Sequence, residues 1–521
     1  MRVRRGAWLL PVALLAACTA GPSPRPGIVV KGEGGQVAPP SATEGPAPVP
    51  PLGEPGRSPI RWTACGPEVR DRLDRLAPPD WLKIDCGRVN GVLDSPYAPG
   101  QGTMRMQVLR AGTGPVPILV VNDIDGLPGS LYAARLAASL PREFLTRFSL
   151  VGLDRRGTGN SDAVRCVPDE VRAAMVDADP RELDVEGLVD QARTAGQQCS
   201  IVLESRLPAL DTWRTAADAE SVRVALGSDR LHAIGHGEGS RVLSVYAERH
   251  PDRVGRMVLD GLPDPNEDAV VTLEAVAAGA DATFGAFAED CAKRACELGS
   301  GARQALTEVL ARAATEPMVA GSPERGPDQD VELNAGVVLR AVLTGLSDRR
   351  LWPELSKALA DARGGVPDGL AALVAPIVVE SDDLPAMFDA TLVTKCNDTR
   401  SRLSTQQLTG AAKDWNTRFP VFGALVAEWL AVCSPWPVPS NPLPRPSAPT
   451  APPIVVLGTA TDPVTPLSGT EHAAQQLATA ALVTWQGAGH GALGASPCAS
   501  AAALAFLTDG KVPRDGTVCP P

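Results

Sequence analysis

The 521-residue chain has no cluster of lysine and arginine beyond its first few residues, and its formal net charge is −11. These two features exclude nucleic acid or an anionic membrane surface as the main partner and leave acidity as a source of solubility. There is no Cys-x-x-Cys pair, so the cysteine spacing offers neither a zinc motif nor a dithiol redox motif. No internal repeat is visible, and the amino-terminal apolar run, Ala7 to Ala17, is too short to span a bilayer. No cofactor and no metal is expected from these absences, and the chain is expected to be a monomer.

The same apolar run, preceded by Arg2, Arg4 and Arg5, suits the core of a secretory signal covering residues 1–17. It ends in Leu15-Ala16-Ala17-Cys18, which resembles a bacterial lipobox. The expectation is export, lipidation at Cys18 and anchorage in the bacterial cell envelope. Setting Cys18 aside leaves ten of the eleven cysteines, which an oxidising compartment can pair. Spacing does not decide connectivity; the pairing taken forward is between neighbours, Cys65 with Cys86, Cys166 with Cys199, Cys291 with Cys296, Cys396 with Cys433, and Cys498 with Cys519. Residues 18–60 are rich in Pro, Gly and Ser and read as a solvated tether.

Globular sequence begins at Arg61-Trp62. Apolar runs then alternate with helical patterns: Val116 to Asp123, a helix near Leu131 to Ser139, Phe148 to Asp154, a helix near Thr212 to Leu226, and Arg230 to Gly235. That alternation predicts an α/β fold built on a doubly wound, mainly parallel sheet. After residue 264 the sequence turns helical, without convincing strands, until about residue 440. Strands resume at Ile454 to Gly458 and in "ALVTWQG". The expected layout is one sheet domain, residues 61–264 and 441–521, interrupted by a helical cap over 265–440.

Leu231 to Gly261 reads as a strand, a glycine-spaced turn and a helix, the setting in which α/β hydrolases carry a Gly-x-Ser-x-Gly nucleophile elbow. The frame here is Gly235-His236-Gly237-Glu238-Gly239, so Gly237 stands where the serine would be. The other two triad positions are filled in the expected order. Asp462 follows the strand ending at Gly458, and His490 lies in a glycine-rich loop after the next strand, where loops at the carboxyl ends of strands converge. Ser240, three residues beyond Gly237, belongs to the first turn of the following helix and reads as a small polar helix-start residue.

These motifs, in this order, resemble the secreted tripeptidyl aminopeptidases and their relatives among the α/β hydrolases. The shared stretches include "WTACGPE", "GLDRRGTGNSDAVRC" (Gly152 to Cys166), "VYAERHPDRVGRMVLDGLPDP", "CNDTR", "CSPWP" and "TDPVTP…GAGHG…SPC". The resemblance implies an α/β-hydrolase fold with an inserted helical cap. It also implies a serine at the position of Gly237 and, in the loop matching Asp123 to Ser130, a Gly-Gly-Pro-Gly run that lends an oxyanion-hole amide. Gly126-Leu127-Pro128-Gly129 keeps part of that run.

Three functional readings follow. The first is a catalytically impaired relative that binds a peptide, a small ester-like ligand or a partner protein. The second is a hydrolase in which His490, oriented by Asp462, activates water directly. The third is a metal site from His236, Glu238 and His490; it ranks last, because the helix dipole accounts for Glu238 and elbow packing for His236.

Overall fold

Runs such as Val116-Pro-Ile-Leu-Val-Val121 are apolar throughout because the strands they form are covered on both faces, as in parallel sheets flanked by helices. The computed structural model describes residues 47–94, 99–177, 179–321, 330–379, 386–438 and 443–521. The expected signal segment, Cys18 and the linker up to residue 46 lie outside the described residues.

The strands are β1 (Ile84–Val92), β2 (Thr103–Ala111), β3 (Val116–Val121), β4 (Phe148–Leu153), β5 (Leu231–His236), β6 (Val254–Asp260), β7 (Met318–Gly321), β8 (Asp330–Leu333), β9 (Ile454–Thr461), β10 (Ala480–Ala488) and β11 (Thr517–Cys519). Nine of them form one sheet in the order β1-β2-β4-β3-β5-β6-β9-β10-β11. β1, β2 and β4 pair antiparallel, and every other neighbouring pair in that sheet is parallel. This is the α/β-hydrolase fold. Helices Thr212–Ala225 and Glu238–Arg249 pack on one face with Leu119, Val121 and Leu259, while Gly129–Ser139 and Pro497–Asp509 cover the other with Ile118 and Val258.

Two stretches depart from the sequence reading. Residues expected in the tether already belong to the folded body. Gly56 N–H donates to Gly227 O (2.8 Å), Ser58 Oγ donates to Ala225 O (2.7 Å), and Ile60 is buried. Apart from Ala209, the buried apolar residues from Val164 to Leu210 join the apolar cluster of the cap and not that of the sheet. Buried Asp389, in the cap helix Met387–Asp398, explains the attachment: it accepts from the N–H groups of Cys166 (2.8 Å) and Val167 (2.9 Å) and from Arg172 Nε (3.0 Å).

Among the described residues between β6 and β9, the regular elements are helices apart from the antiparallel pair β7 and β8, a departure from the expectation of a segment without strands. Each of its strands has four residues, too few to register as a period-two pattern. The structure forms disulfides between Cys65 and Cys86, Cys166 and Cys199, Cys291 and Cys296, Cys396 and Cys433, and Cys498 and Cys519.

Candidate active site

The turn after β5 keeps the backbone of a nucleophile elbow. Gly237 has φ +54° and ψ −124°, its N–H donates to Asp260 O (2.9 Å), and its carbonyl accepts from Ser240 N–H (2.9 Å). A side chain at this positive φ is strained by roughly 1–3 kcal/mol, and glycine is not. The flanking glycines serve packing. A Cβ at Gly235 would lie 2.6 Å from the Ser240 Cα, and one at Gly239 would lie 2.0 Å from the Val121 carbonyl oxygen. Ser240 is fully buried and its hydroxyl donates to Asp260 O (3.1 Å), so it is committed to the helix start.

Asp462 and His490 meet beyond the ends of β9 and β10. His490 Nδ1 lies 3.1 Å from both Asp462 carboxylate oxygens. Asp462 also accepts from the N–H groups of Val464 (2.8 Å), Thr465 (2.7 Å) and Gly491 (3.2 Å) and from Thr465 Oγ1 (3.0 Å). The cap reaches this loop directly: His490 N–H donates to Ser347 O (2.8 Å), at the end of cap helix Ala335–Ser347.

The other ring nitrogen does not face open space at Gly237. It faces Asp123, two residues beyond β3, with His490 Nε2 3.0 Å from Asp123 Oδ2. The second oxygen, Oδ1, accepts the N–H of Glu238 (2.7 Å), the amide that follows the nucleophile position and serves an oxyanion hole in this architecture. A Cβ built on Gly237 would lie 2.0 Å from Asp123 Oδ1. The carboxylate therefore occupies the space a side chain at Gly237 would take, and it engages both His490 Nε2 and the Glu238 N–H. Burial opposes charge on Asp123, but His490, His236 and the Glu238 amide outweigh it and hold the carboxyl well below the usual carboxylate range. Burial likewise opposes the His490 imidazolium, and Asp462 and Asp123 outweigh it, raising its pKa well above 6.5.

Around this centre, His236 stacks on Tyr132 (5.1 Å between ring centres) and tilts against His490 (4.3 Å). Glu238 faces the Lys395 ammonium (3.5 Å) and Arg155 (3.7 Å), and Lys395 also pairs with Asp125 (2.8 Å). Burial disfavours the charged Lys395, yet Asp125, Glu238 and Asp123 hold its pKa above the usual lysine range. Of the residues expected from the oxyanion loop, Gly126 lines the cavity below the cap, whereas Gly129 is a packing glycine: a Cβ there would lie 1.9 Å from Leu153 O. Sequence reasoning missed Asp123 and Lys395. The available signal was the pair of acidic residues, Asp123 and Asp125, just ahead of Gly126-Leu127-Pro128-Gly129.

The site opens into a cavity of about 780 Å³ between the sheet's carboxyl edge and the cap. Its walls mix apolar side chains such as Leu273, Leu373, Phe388 and Trp429 with charged groups near the centre. Such a volume accommodates a short peptide or a drug-sized ligand.

Comparison with known proteins places this geometry in context. A family model described as "TAP-like protein" matches residues 419–519, which contain Asp462 and His490. The chain is 28% identical over 512 residues to the serine protease Hip1 of Mycobacterium tuberculosis, covering 88% of this chain and 91% of that protein. It is 29% identical over 487 residues to carboxylesterase B of the same organism, covering 88% and 90%. A tripeptidyl aminopeptidase of Streptomyces lividans is 35% identical over 126 residues, 24% of each chain.

Proposed function

We propose that this chain is a TAP-like relative among the α/β hydrolases that has given up acyl-enzyme chemistry and binds a peptide or a small ester-like ligand in the cavity beneath its cap. One observation carries the reading: Asp123, not a hydroxyl, stands 3.0 Å from His490 Nε2. An acyl-enzyme needs a nucleophilic side chain at Gly237, and removing the triad serine in a comparable hydrolase costs on the order of 10⁶ in turnover. The Glu238 N–H is also taken by Asp123, so the oxyanion donor is not free. Direct activation of water by His490 is disfavoured for the same geometric reason. Its outward nitrogen already has a carboxylate partner, and an imidazolium held between two carboxylates has no lone pair to accept a proton.

The binding half of the reading rests on the cavity, whose size and mixed lining suit a short extended chain. Export is part of the proposal, with lipidation at Cys18. Five disulfides in a chain of this kind fit an oxidising compartment outside the cytosol. The chain acts as a monomer on this reading, without nucleic acid.

The experiment pairs equilibrium peptide binding, followed by tryptophan fluorescence since Trp429 and Trp485 line the cavity, with hydrolysis assays on amino-terminal tripeptide and short-ester chromogenic substrates. Saturable binding without turnover is the expected result. Turnover by the natural chain that disappears in His490→Ala would overturn it in favour of a working hydrolase. Incorporation of labelled fatty acid, lost in Cys18→Ser, tests the anchor.

A further inference from the structure

We propose that Asp123, His236 and His490 form a site for one divalent cation of the zinc class, placed where the serine is missing. The two imidazoles aim the same atom at the same oxygen: His490 Nε2 is 3.0 Å and His236 Nε2 is 3.7 Å from Asp123 Oδ2. One ligand atom from each of the three residues falls within 4.8 Å of the other two. Tetrahedral zinc with bonds of about 2.1 Å holds its ligand atoms about 3.4 Å apart, between the two separations found here. A cation takes the place of the proton between His490 Nε2 and Asp123 Oδ2, which is released to solvent, and can enter with little movement of the side chains.

The surroundings are arranged as a metal site requires. Metal-bound histidines usually donate their other N–H to a carboxylate or carbonyl, which fixes the tautomer. Asp462 stands behind His490 Nδ1 at 3.1 Å. Asp260 stands behind His236 Nδ1 at 3.6 Å and is itself fixed by the N–H groups of Ala492 (2.7 Å) and Leu493 (3.0 Å). His236 Nδ1 is buried and lacks a hydrogen-bond partner. With Nε2 on a cation, that nitrogen must carry the proton, and a small ring rotation lets it donate to Asp260. Asp123 is oriented as well, since its Oδ1 accepts the Glu238 N–H while Oδ2 points at the two rings.

The donor set and the neighbourhood narrow the ion. Two imidazoles and one carboxylate select zinc or cobalt over magnesium or calcium, which prefer all-oxygen shells. A second group, Asp123 with Asp125 and Glu238, is also close enough to hold a cation, but the Lys395 ammonium already sits there, 2.8 Å from Asp125 and 3.5 Å from Glu238. All three proposed ligands line the cavity, so the fourth position is open to a water or to a carbonyl oxygen of a bound peptide. The site does not depend on whether a peptide fills that cavity.

The test uses tag-free full-length protein, stripped with a chelator and then dialysed against Zn²⁺. Elemental analysis is expected to find one equivalent, and Co²⁺ is expected to give the visible absorption of a tetrahedral complex. Asp123→Asn and His236→Gln, each checked for native circular dichroism, should weaken Zn²⁺ binding by more than the factor of about 10–100 expected for the supporting variant Asp462→Asn. Glu238→Gln should retain the metal. Substoichiometric zinc in the natural protein, or zinc unchanged in both Asp123→Asn and His236→Gln, would overturn the proposal, as would a loss confined to Glu238→Gln. Because Asp123 lies in the loop after β3 and His236 ends β5, a folding failure in one variant leaves the other to decide.

Discussion

At the ends of β9 and β10 an aspartate and a histidine meet with the partners a hydrolase pair would have, whereas the β5 turn presents a glycine at φ +54° and no side chain to them. The difference follows from what each residue does for the fold. Asp462 is buried and gathers three backbone N–H groups, a hydroxyl and an imidazole. Those donors would be stranded without it, so the residue is held by structure whether or not catalysis continues. A serine at the elbow would add a hydroxyl to a backbone at φ +54°, where glycine is the unstrained choice. The acid–histidine pair is therefore accounted for by the fold alone, and the proposed loss of acyl-enzyme chemistry rests on Asp123, 3.0 Å from His490 Nε2.

The largest expected effect breaks this contrast by rebuilding the elbow. The natural chain should stay unlabelled by fluorophosphonate probes, and Gly237→Ser alone should stay nearly so, because its Cβ would lie 2.0 Å from Asp123 Oδ1. The double variant Gly237→Ser with Asp123→Gly frees His490 Nε2 and the Glu238 amide together. It should label stoichiometrically, with a gain in ester turnover of up to about 10⁶. Labelling of the natural chain at any serine would show that the nucleophile lies elsewhere.

Next in size is the structural claim on the acid. Asp462→Ala should cost roughly 3–5 kcal/mol in chemical denaturation, the range for removing one member of a buried charged network. A loss below about 1 kcal/mol would mean that Asp462 is not kept for the fold.

A smaller effect sharpens the role of Asp123. In chelator-treated protein His490 should remain protonated as pH rises through 6.5, and in Asp123→Asn its titration should move down, read by imidazole NMR. The signs follow from the two shifts. The raised His490 pKa contributes stability that is complete below 6.5 and lost as pH climbs through the folded value. The lowered Asp123 pKa contributes stability that is complete above 3.8 and lost as pH falls through its folded value. The denaturation midpoint of the natural chain should thus exceed that of Asp123→Asn most clearly near pH 5, with the gap narrowing at alkaline pH.

Smallest is Ser240→Ala, which removes one hydrogen bond to Asp260 O and should cost about 1 kcal/mol, without any change in probe labelling. A larger chemical consequence would restore Ser240 as a candidate nucleophile.

Much of this molecule was legible in its order of residues. The parallel strands β3, β4, β5, β6, β9 and β10 announce themselves as apolar runs because both of their faces are covered, and the positions of Gly237, Asp462 and His490 follow from strand ends. β1 and β2 were not singled out, since β1 alternates buried and exposed residues along much of its length and looks polar as a string. The attachment of residues 164–210 to the cap was invisible for a different reason. Its anchor, Asp389, lies more than two hundred positions away from the amides it binds.

By itself the sequence determined that the turn between β5 and the following helix carries no side chain at its centre, because a strand-turn-helix pattern with glycines at fixed spacing places Gly237 there. It could not determine what fills the vacated space. Asp123 reads as one acidic residue in a loop after β3, and nothing local distinguishes it from Asp125. Only the parallel pairing of β3, β5, β6, β9 and β10 in that order brings the ends of these strands to one edge and sets Asp123 against His490, His236 and the Glu238 amide. Which carboxylate meets which imidazole is a property of strand order and register, and those are settled by packing between segments far apart in the chain.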